Sequence, residues 1–595
     1  MPAASRRLAG LLAALGALSA APRPAEAQHK YALQLFHFNV QYVCGGTIGF
    51  TPQPSPELDV DNDALEDQII VESLAPVVDL FEKHPTWGVD LEMQAYMLDI
   101  IAARHPELLA KLQAMTATGQ IDVNSFHYSD QLFIGYPEED WRRSNDLTRD
   151  TFDRHGVTLS KSVFCQEGQS AHHMGTRLAE AGYQTMVWPK NLWRYQHGDG
   201  DVAPLYRFGD ALLVRGGLGA SYDDGTTTID LTWTFLDDGE LLATGDINPY
   251  FPEIFLHDPA AVAEYEARLS DLEAQGYTIA TVDQYVAAVE PLVTPEPAPP
   301  LLDGTWQPDT TVGVLRWMGG KGLWFDHERD NHVRTLAYQA HRELVAAETV
   351  AAEASVDARE RLDAAWRLLF LGEVTDATGI NPFRGEIQYG ISHLAEALRI
   401  AREIVDEGKD ALGLSRALID PMTGVVSASE DEPFAGTASE PALALTIQGG
   451  DRDVTETWTK IADGHHVVTI DFGPGDWREV SVVFPGVLED QLALGLALDD
   501  ETPYLVERSA FTFEEFHFAL PTGYIGLGDG RFVIKDAGQV HLAATVARDG
   551  GDVRFLDQTV DTIDRARWVF HVFDGTPEEA AQTAIAINSK RSLLR

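Results

Sequence analysis

The chain has 595 residues, and its 44 Lys+Arg against 92 Asp+Glu give a formal net charge of −48. That length suits two or three domains, and 45% hydrophobic with 9% aromatic residues is ample for packed cores, which excludes a disordered polymer. The negative surplus argues against nucleic acid or an anionic membrane as a partner, and two cysteines cannot build a disulfide scaffold or a four-thiolate zinc site.

The first residues carry Arg6 and Arg7, then the apolar run LAGLLAALGALSA, then small residues at Ala25 and Ala27. This is the pattern of a secretory signal peptide over 1–27, with a mature chain from Gln28 that is secreted or periplasmic. The run is short for a membrane span, and no later stretch approaches 18 apolar residues.

From 28 to 293, short β-rich runs alternate with amphipathic segments. The runs are YALQLF, GVDLEM, QIDVNSF, KSVFCQE, QTMVW, ALLVRGG, ELLATGD and YTIATV, and the helical segments include Leu65–Lys83, Pro106–Thr118 and Ala260–Gln275. Near-continuous apolar strands between helices predict a parallel sheet covered on both faces, here a closed β/α barrel, most simply seven-stranded. Thr294–Pro300, TPEPAPP, reads as a rigid extended linker. Residues 301–410 read as a helical bundle, with stripes at Val333, Leu336, Ala340 and Leu344, at Leu362, Trp366 and Leu369, and from Ile387 to Val405. Residues 411–595, with short β runs between Gly, Asp and Pro clusters, read as a β-sandwich without a long helix. The fold class is therefore α/β plus all-β.

In a β/α barrel the carboxyl ends of the strands face the active site. Those positions hold His37, Asn39, Glu92, Asp122, Asn124, Glu167 and Asp246. Polar groups ending several apolar strands suit a carbohydrate, because each sugar hydroxyl taken from water needs a hydrogen-bond partner. Glu167 and Asp246 also admit blander roles, as a buried ion-pair partner and a turn cap. Trp317, Trp324, Asp326 and His327 cluster in the glycine-rich RWMGGKGLWFDHERDN, where an indole face could lie against a pyranose or form a domain contact. Trp188 and Trp193 suit either core or pocket. Cys44 and Cys165 both lie near strand ends, and a disulfide and two separate buried thiols remain open.

FHFN after the first strand, then GQIDVN, FCQEGQ and ATGDINPYF, resemble in order and spacing the motifs of glycoside hydrolase family 57. WRLLFLGEVTDATGINP is similar to the helical segment of family 38 α-mannosidases of the same superfamily. The resemblance covers the chain to about residue 408. It implies a seven-stranded β/α barrel joined to a helical domain and a retaining enzyme acting on α-linked sugars. By position it makes Glu167 the nucleophile and Asp246 the general acid/base, and Asp376 a substrate contact. It also departs from the families. Where family 57 has His followed by Gln-Pro, this chain has His37-Phe38-Asn39. The family 38 zinc ligands fall on His37, Asn39, Glu167 and Thr375, a poor set because neutral Asn and Thr bind weakly. No catalytic metal and no cofactor are therefore expected.

The reading is an exported retaining glycoside hydrolase on an α-linked oligo- or polysaccharide. Glu167 and Asp246 are its catalytic pair, and His37, Asn39, Asn124, Trp317, Asp326 and Asp376 its substrate contacts. The alternatives are a metal-dependent polysaccharide deacetylase, for which no His-x-x-x-His pair is evident, and a non-catalytic glycan-binding protein on the same fold.

Overall fold

The structure is a computed structural model that describes residues 27–41, 43–46, 61–133, 136–169, 174–198, 200, 202–240, 257–299, 301, 331–378, 384–420, 425–427, 436–474, 480–485, 491–494, 504–507, 515–518, 524–527, 529–535, 542–547, 553–557, 566–588 and 593–594. The expected secretory segment, up to its last residue, lies outside them.

The strands of the first half are β1 (Ala27–Phe38), β2 (Val89–Met93), β3 (Ile121–Asn124), β4 (Ser162–Val163), β5 (Thr185–Trp188), β6 (Tyr206–Phe208), β7 (Ala211–Arg215), β8 (Ala220–Asp223), β9 (Thr227–Asp238), β10 (Thr278–Ala280) and β11 (Glu296–Pro297). Helix α1 (Asn62–Ile69) runs through a π turn into α2 (Ala75–Glu82), followed by α3 (Ala95–Arg104), α4 (Pro106–Ala117), α5 (Glu138–His155), α6 (Met174–Glu180), α7 (Lys190–His197), α8 (Pro259–Ala274) and α9 (Val282–Val289). Beyond these lie α10 (Asn331–Ala354), α11 (Arg359–Gly372), α12 (Thr375–Thr378) and α13 (Arg384–Leu412).

β1 is the spine of a six-stranded sheet. Ala32, Leu33, Leu35 and Phe36 are all buried, so both of its faces are covered, as the continuous apolar run requires. One edge of β1 pairs in parallel first with β10 and then with β2, which pairs with β3; the other edge takes β9 along its whole length. β11, β6, β7, β5 and β4 form a second sheet. The two meet at a parallel bridge, Val123 to Leu159.

Closure of a barrel by hydrogen bonds is not present among the described residues. β8 folds back antiparallel on β9, and β6 on β7, so both free edges are taken up by return strands. There Ile229 and Leu231 pack with Val187, Leu212 and Val214 through side chains instead. The proline-rich 294–300 run is also not a free spacer. Glu296 N donates to Leu205 O at 3.1 Å and Ala298 N to Arg207 O at 2.8 Å, which adds β11 to the sheet edge, where proline is tolerated.

At the lower end, the amino terminus of α9 meets two buried carboxylates. Val282 N donates to Asp90 Oδ2 at 2.9 Å, and Asp283 N donates to Asp122 Oδ2 at 3.3 Å. Helix amino termini attract negative charge, so Asp122 is a cap on α9 and not a group of the strand-end site.

α10, α11 and α13 pack together over Val333, Ala340, Leu344, Trp366, Leu369, Leu394, Ala401 and Val405, all buried. The last part of the chain is antiparallel: an eight-stranded sheet with Val454–Ala462, His465–Phe472 and Ala566–Asp574 at its centre, and a five-stranded one containing Ser481–Phe484. Phe484 of one meets Phe570 of the other, ring centroids 5.1 Å apart. A helix of 12 residues, Pro577–Asn588, also forms there, where no long helix is expected from the sequence. Its Ala580, Ala584 and Ile587 recur at helical spacing and bury against Phe532 and Ile534.

Candidate active site

Parallel register places four polar side chains in one row. Asn124 of β3 pairs with Glu92 of β2, Glu92 with His37 of β1, and His37 with Asp238 of β9. Each is the last or next-to-last residue of its strand, so the row lies at the carboxyl end of the sheet. The partner of His37 depends on one extra residue in β9. The register slips between Leu33 and Gln34, leaving Thr234 unpaired with its hydroxyl 3.2 Å from Leu33 O and 2.8 Å from the Tyr265 hydroxyl. Such a bulge moves every later residue by one place. Without it His37 would face Asp237, which is exposed.

His37 is hydrogen-bonded through Nδ1 to Glu92 Oε2. Burial alone would lower the imidazole pKa, but Glu92, and then Asp130 and Asp238, raise it well above its ordinary value. Burial likewise lifts Asp238 to about 6, with His37 pulling the other way. Asn39 joins the sheet to the helices. Its backbone N–H donates to Glu240 Oε1 at 2.6 Å, and its Nδ2 donates to Asp376 Oδ2 at 2.8 Å. Its Oδ1 accepts from Gln41 N at 2.7 Å and from Gln94 Nε2. Burial pushes Glu240 up to about 8 and Asp376 to about 7. Gly239 between the two acids is required by close approach, since a Cβ there would fall 2.6 Å from the Phe38 ring.

The helical region completes this end. Thr375 N donates to Asp130 O at 2.7 Å, Leu132 N to Glu373 O at 3.0 Å, and Ser129 Oγ to Phe370 O at 2.7 Å. The loop after β3 is thereby docked on the end of α11, which brings Asp376 over the strand ends.

Glu167 stands on a single 3-10 turn, Gln166–Gly168, just after β4. Its backbone is left-handed, φ 53° and ψ 20°. Among the described residues only Val43 and Ser355 share a positive φ without being glycine. A side chain in that region stores on the order of 1–3 kcal/mol and persists only where its surroundings hold it. Gly168 N to Cys165 O at 2.8 Å closes the turn, and Gln169 Nε2 to Gln131 O at 2.9 Å ties it to the β3 loop. Glu167 is half-buried, and its charge helps raise the pKa of Asp130, after burial and Glu92.

His37, Asn39, Glu167 and Asp376 are thus gathered at one end of the sheet. Asn124 reaches the row, but its Nδ2 is occupied by Ser162 O at 3.0 Å and by the Ser162 and Ser160 hydroxyls at 2.7 and 3.3 Å. It ties β3 to β4, and its amide donors are not free for a sugar. Asp246, Trp317 and Asp326 lie outside the described residues, as does the ELLATGD run after Glu240. Trp188 and Trp193 are buried core. Cys44 and Cys165 are free, buried thiols, which excludes the disulfide. The zinc set of family 38 does not fit, because the Asn39 side chain is committed to Asp376, Gln41 and Gln94.

Sequence reading passed over Gln94, His127, Asp130, Asp238 and Glu240. For the last two a signal existed. In TTIDLTWTFLDDGE, Ile229, Leu231, Trp233 and Phe235 alternate with polar residues, the mark of a strand that ends on its acids. His127 and Asp130 lie in a loop with no periodicity to read.

No protein-family model matches the chain. In sequence, 116 residues, 19% of the chain, are 27% identical to Alpha-amylase 1 of Dictyoglomus thermophilum and span 17% of that protein. A GH57-type branching enzyme from Pyrococcus horikoshii aligns with a TM-score of 0.43 and 10% identity over 64% of this chain and 88% of its own. A protein of glycosyl hydrolase family 38 from Enterococcus faecalis aligns with a TM-score of 0.55 and 10% identity, over 96% of this chain and 89% of that one. The chain is thus similar over a short stretch to an α-amylase in sequence, and over most of its length to a family 38 protein in fold. At 10% identity the likeness speaks for the fold alone. No described helix of the chain is long and apolar enough to cross a membrane.

Proposed function

We propose that the chain is an exported retaining glycoside hydrolase or glucanotransferase that cleaves an α-linked oligo- or polysaccharide with two carboxyl groups. The observation that carries this is Glu167, an acid held in a strained left-handed turn at the same strand-end site as His37 and Asp238. Glu167 attacks the anomeric carbon, and a second carboxyl protonates the departing oxygen and then takes a proton from the incoming water or sugar hydroxyl. We assign that second role to Asp238 in place of Asp246, because Asp238 ends the strand beside His37 and, lifted to about 6, holds a proton in part of the molecules near neutral pH. Glu240, lifted to about 8, is neutral there and offers a hydroxyl donor, while His37, Asn39 and Asp376 position the sugar.

On architecture, we read the first two sheets as one β/α barrel closed by side-chain packing, the helices after residue 330 as a bundle, and the last two sheets as a sandwich. Export rests on the residue 1–27 pattern. Cleavage after Ala27 would leave all of β1 but its first residue, and amino-terminal sequencing of protein from the culture medium or periplasm tests it. The catalytic reading is tested by sugar release from α- and β-linked oligosaccharides, with Glu167→Gln and Asp238→Asn beside wild type. Chelator-resistant release lost in both variants, with the product keeping its anomeric configuration, is the expected result. Release unaffected by Glu167→Gln would overturn it.

A further inference from the structure

Three groups in the floor of the site have no part in the two-carboxyl mechanism. Glu92, His127 and Asp130 are each 0% exposed, and one ligand atom from each lies within 4.8 Å of the other two. Glu92 Oε1, Asp130 Oδ1 and both ring nitrogens of His127 have no hydrogen-bond partner among the described residues. The other oxygen of each carboxylate is held from outside the cluster. His37 Nδ1 bonds to Glu92 Oε2, and Gln94 Nε2 donates to Asp130 Oδ2.

Each buried polar atom left unsatisfied costs on the order of 1–3 kcal/mol. Here one such atom from each of the three residues converges. An uncharged imidazole keeps one ring nitrogen lone pair, and His127 has both ring nitrogens buried beside the two carboxylates. Glu92 Oε1 and Asp130 Oδ1 face the same buried space as the His127 ring. Two carboxylate oxygens and one imidazole nitrogen can each turn a lone pair into that space. A cation satisfies all three at once. The outer hydrogen bonds from His37 and Gln94 match what metal-binding carboxylates use to fix their orientation.

We propose that Glu92, His127 and Asp130 bind one divalent cation of the zinc class, with His37 and Gln94 as the outer partners that orient the two carboxylates. The imidazole among the ligands favours zinc over magnesium or calcium, which prefer oxygen alone. Three protein ligands leave a fourth tetrahedral position open. The expectation of no metal rests on sets such as His37, Asn39, Glu167 and Thr375, which do not include this cluster. Two of the present ligands sit on the β3 loop, which only folding brings beside Glu92. The site does not depend on the glycosidase reading.

The test is a titration of the full-length, EDTA-stripped chain with zinc chloride by calorimetry, alongside elemental analysis of protein purified without chelator. His127→Gln and Asp130→Asn are compared with wild type after circular dichroism shows them folded. One zinc per chain is expected, with affinity weaker by about tenfold or more in each variant. Zinc should also raise the melting temperature of wild type and not of the variants. A wild-type chain that takes up no zinc overturns the proposal, whatever the variants do. So does stoichiometric zinc held equally well by both variants. If these atoms serve sugar hydroxyls instead, the variants lose oligosaccharide affinity and no ion binds, which also overturns it. Zinc bound without sugar turnover would overturn the glycosidase reading alone. Full turnover by a chain that binds no zinc would overturn this proposal alone.

Discussion

The His37 imidazole and the Glu92 carboxylate form a hydrogen-bonded pair between adjacent parallel strands, with His37 5% exposed and Glu92 fully buried. Removing one partner of a buried pair strands the other, which typically costs about 3–5 kcal/mol. His37→Gln is therefore expected to lose stability on that order in urea unfolding at pH 7, and adding Glu92→Gln should restore part of it. The pKa of His37 is raised in the fold, so its contribution is fully present below its unfolded value of roughly 6.5 and is lost only as pH climbs through the higher folded one. The deficit of the single variant should accordingly be similar at pH 6 and at pH 7. Additive effects in the double variant would mean the two residues are not coupled.

Glu167 occupies a backbone region that glycine visits freely and other residues do not. Glu167→Gly is thus expected to be more stable than Glu167→Ala by about 1 kcal/mol, with both inactive on sugars. Equal melting temperatures would show that the left-handed turn is not strained.

Asp238, lifted to about 6, gives activity a defined limb. An acid must be protonated to donate, so kcat/KM should fall as pH rises through about 6. In Asp238→Asn the little remaining activity should lack that limb. A limb that survives in the variant belongs to another group, and Asp238 would lose its assignment.

Glu240 links stability to pH. Its folded value of about 8 exceeds the unfolded carboxyl value of roughly 4.3, so its contribution is fully present below the latter and is lost as pH rises to about 8. Glu240→Gln removes the charge and keeps an oxygen to accept from Asn39 N. Relative to wild type, the variant should gain little near pH 4 and steadily more up to about 8, by a few kcal/mol at most. A difference in melting temperature that stays flat across this range would contradict the assignment.

Local patterns were enough to read most elements. The stripes at Val333, Ala340 and Leu344 and at Leu394, Ala401 and Val405 are buried in α10 and α13, because a 3.6-residue period needs only neighbouring residues to be visible. Apolar runs such as YALQLF and QTMVW became β1 and β5 for the same reason. β9 was equally visible by its alternation and was missed, and with it Asp238 and Glu240.

By itself, then, the sequence determined the mixed α/β character, the helical stretches, and the gathering of His37, Asn39 and Glu167 at strand ends, since each follows from periodicity along a few residues. Tertiary structure alone decided which of these groups meet. The Thr234 bulge chose Asp238 over Asp237 as the neighbour of His37. The docking of the β3 loop on α11 brought Asp130 beside Glu92 and Asp376 to Asn39, across 337 residues in the last case. Register and long-range contact are properties of pairs of segments, and no single segment carries them.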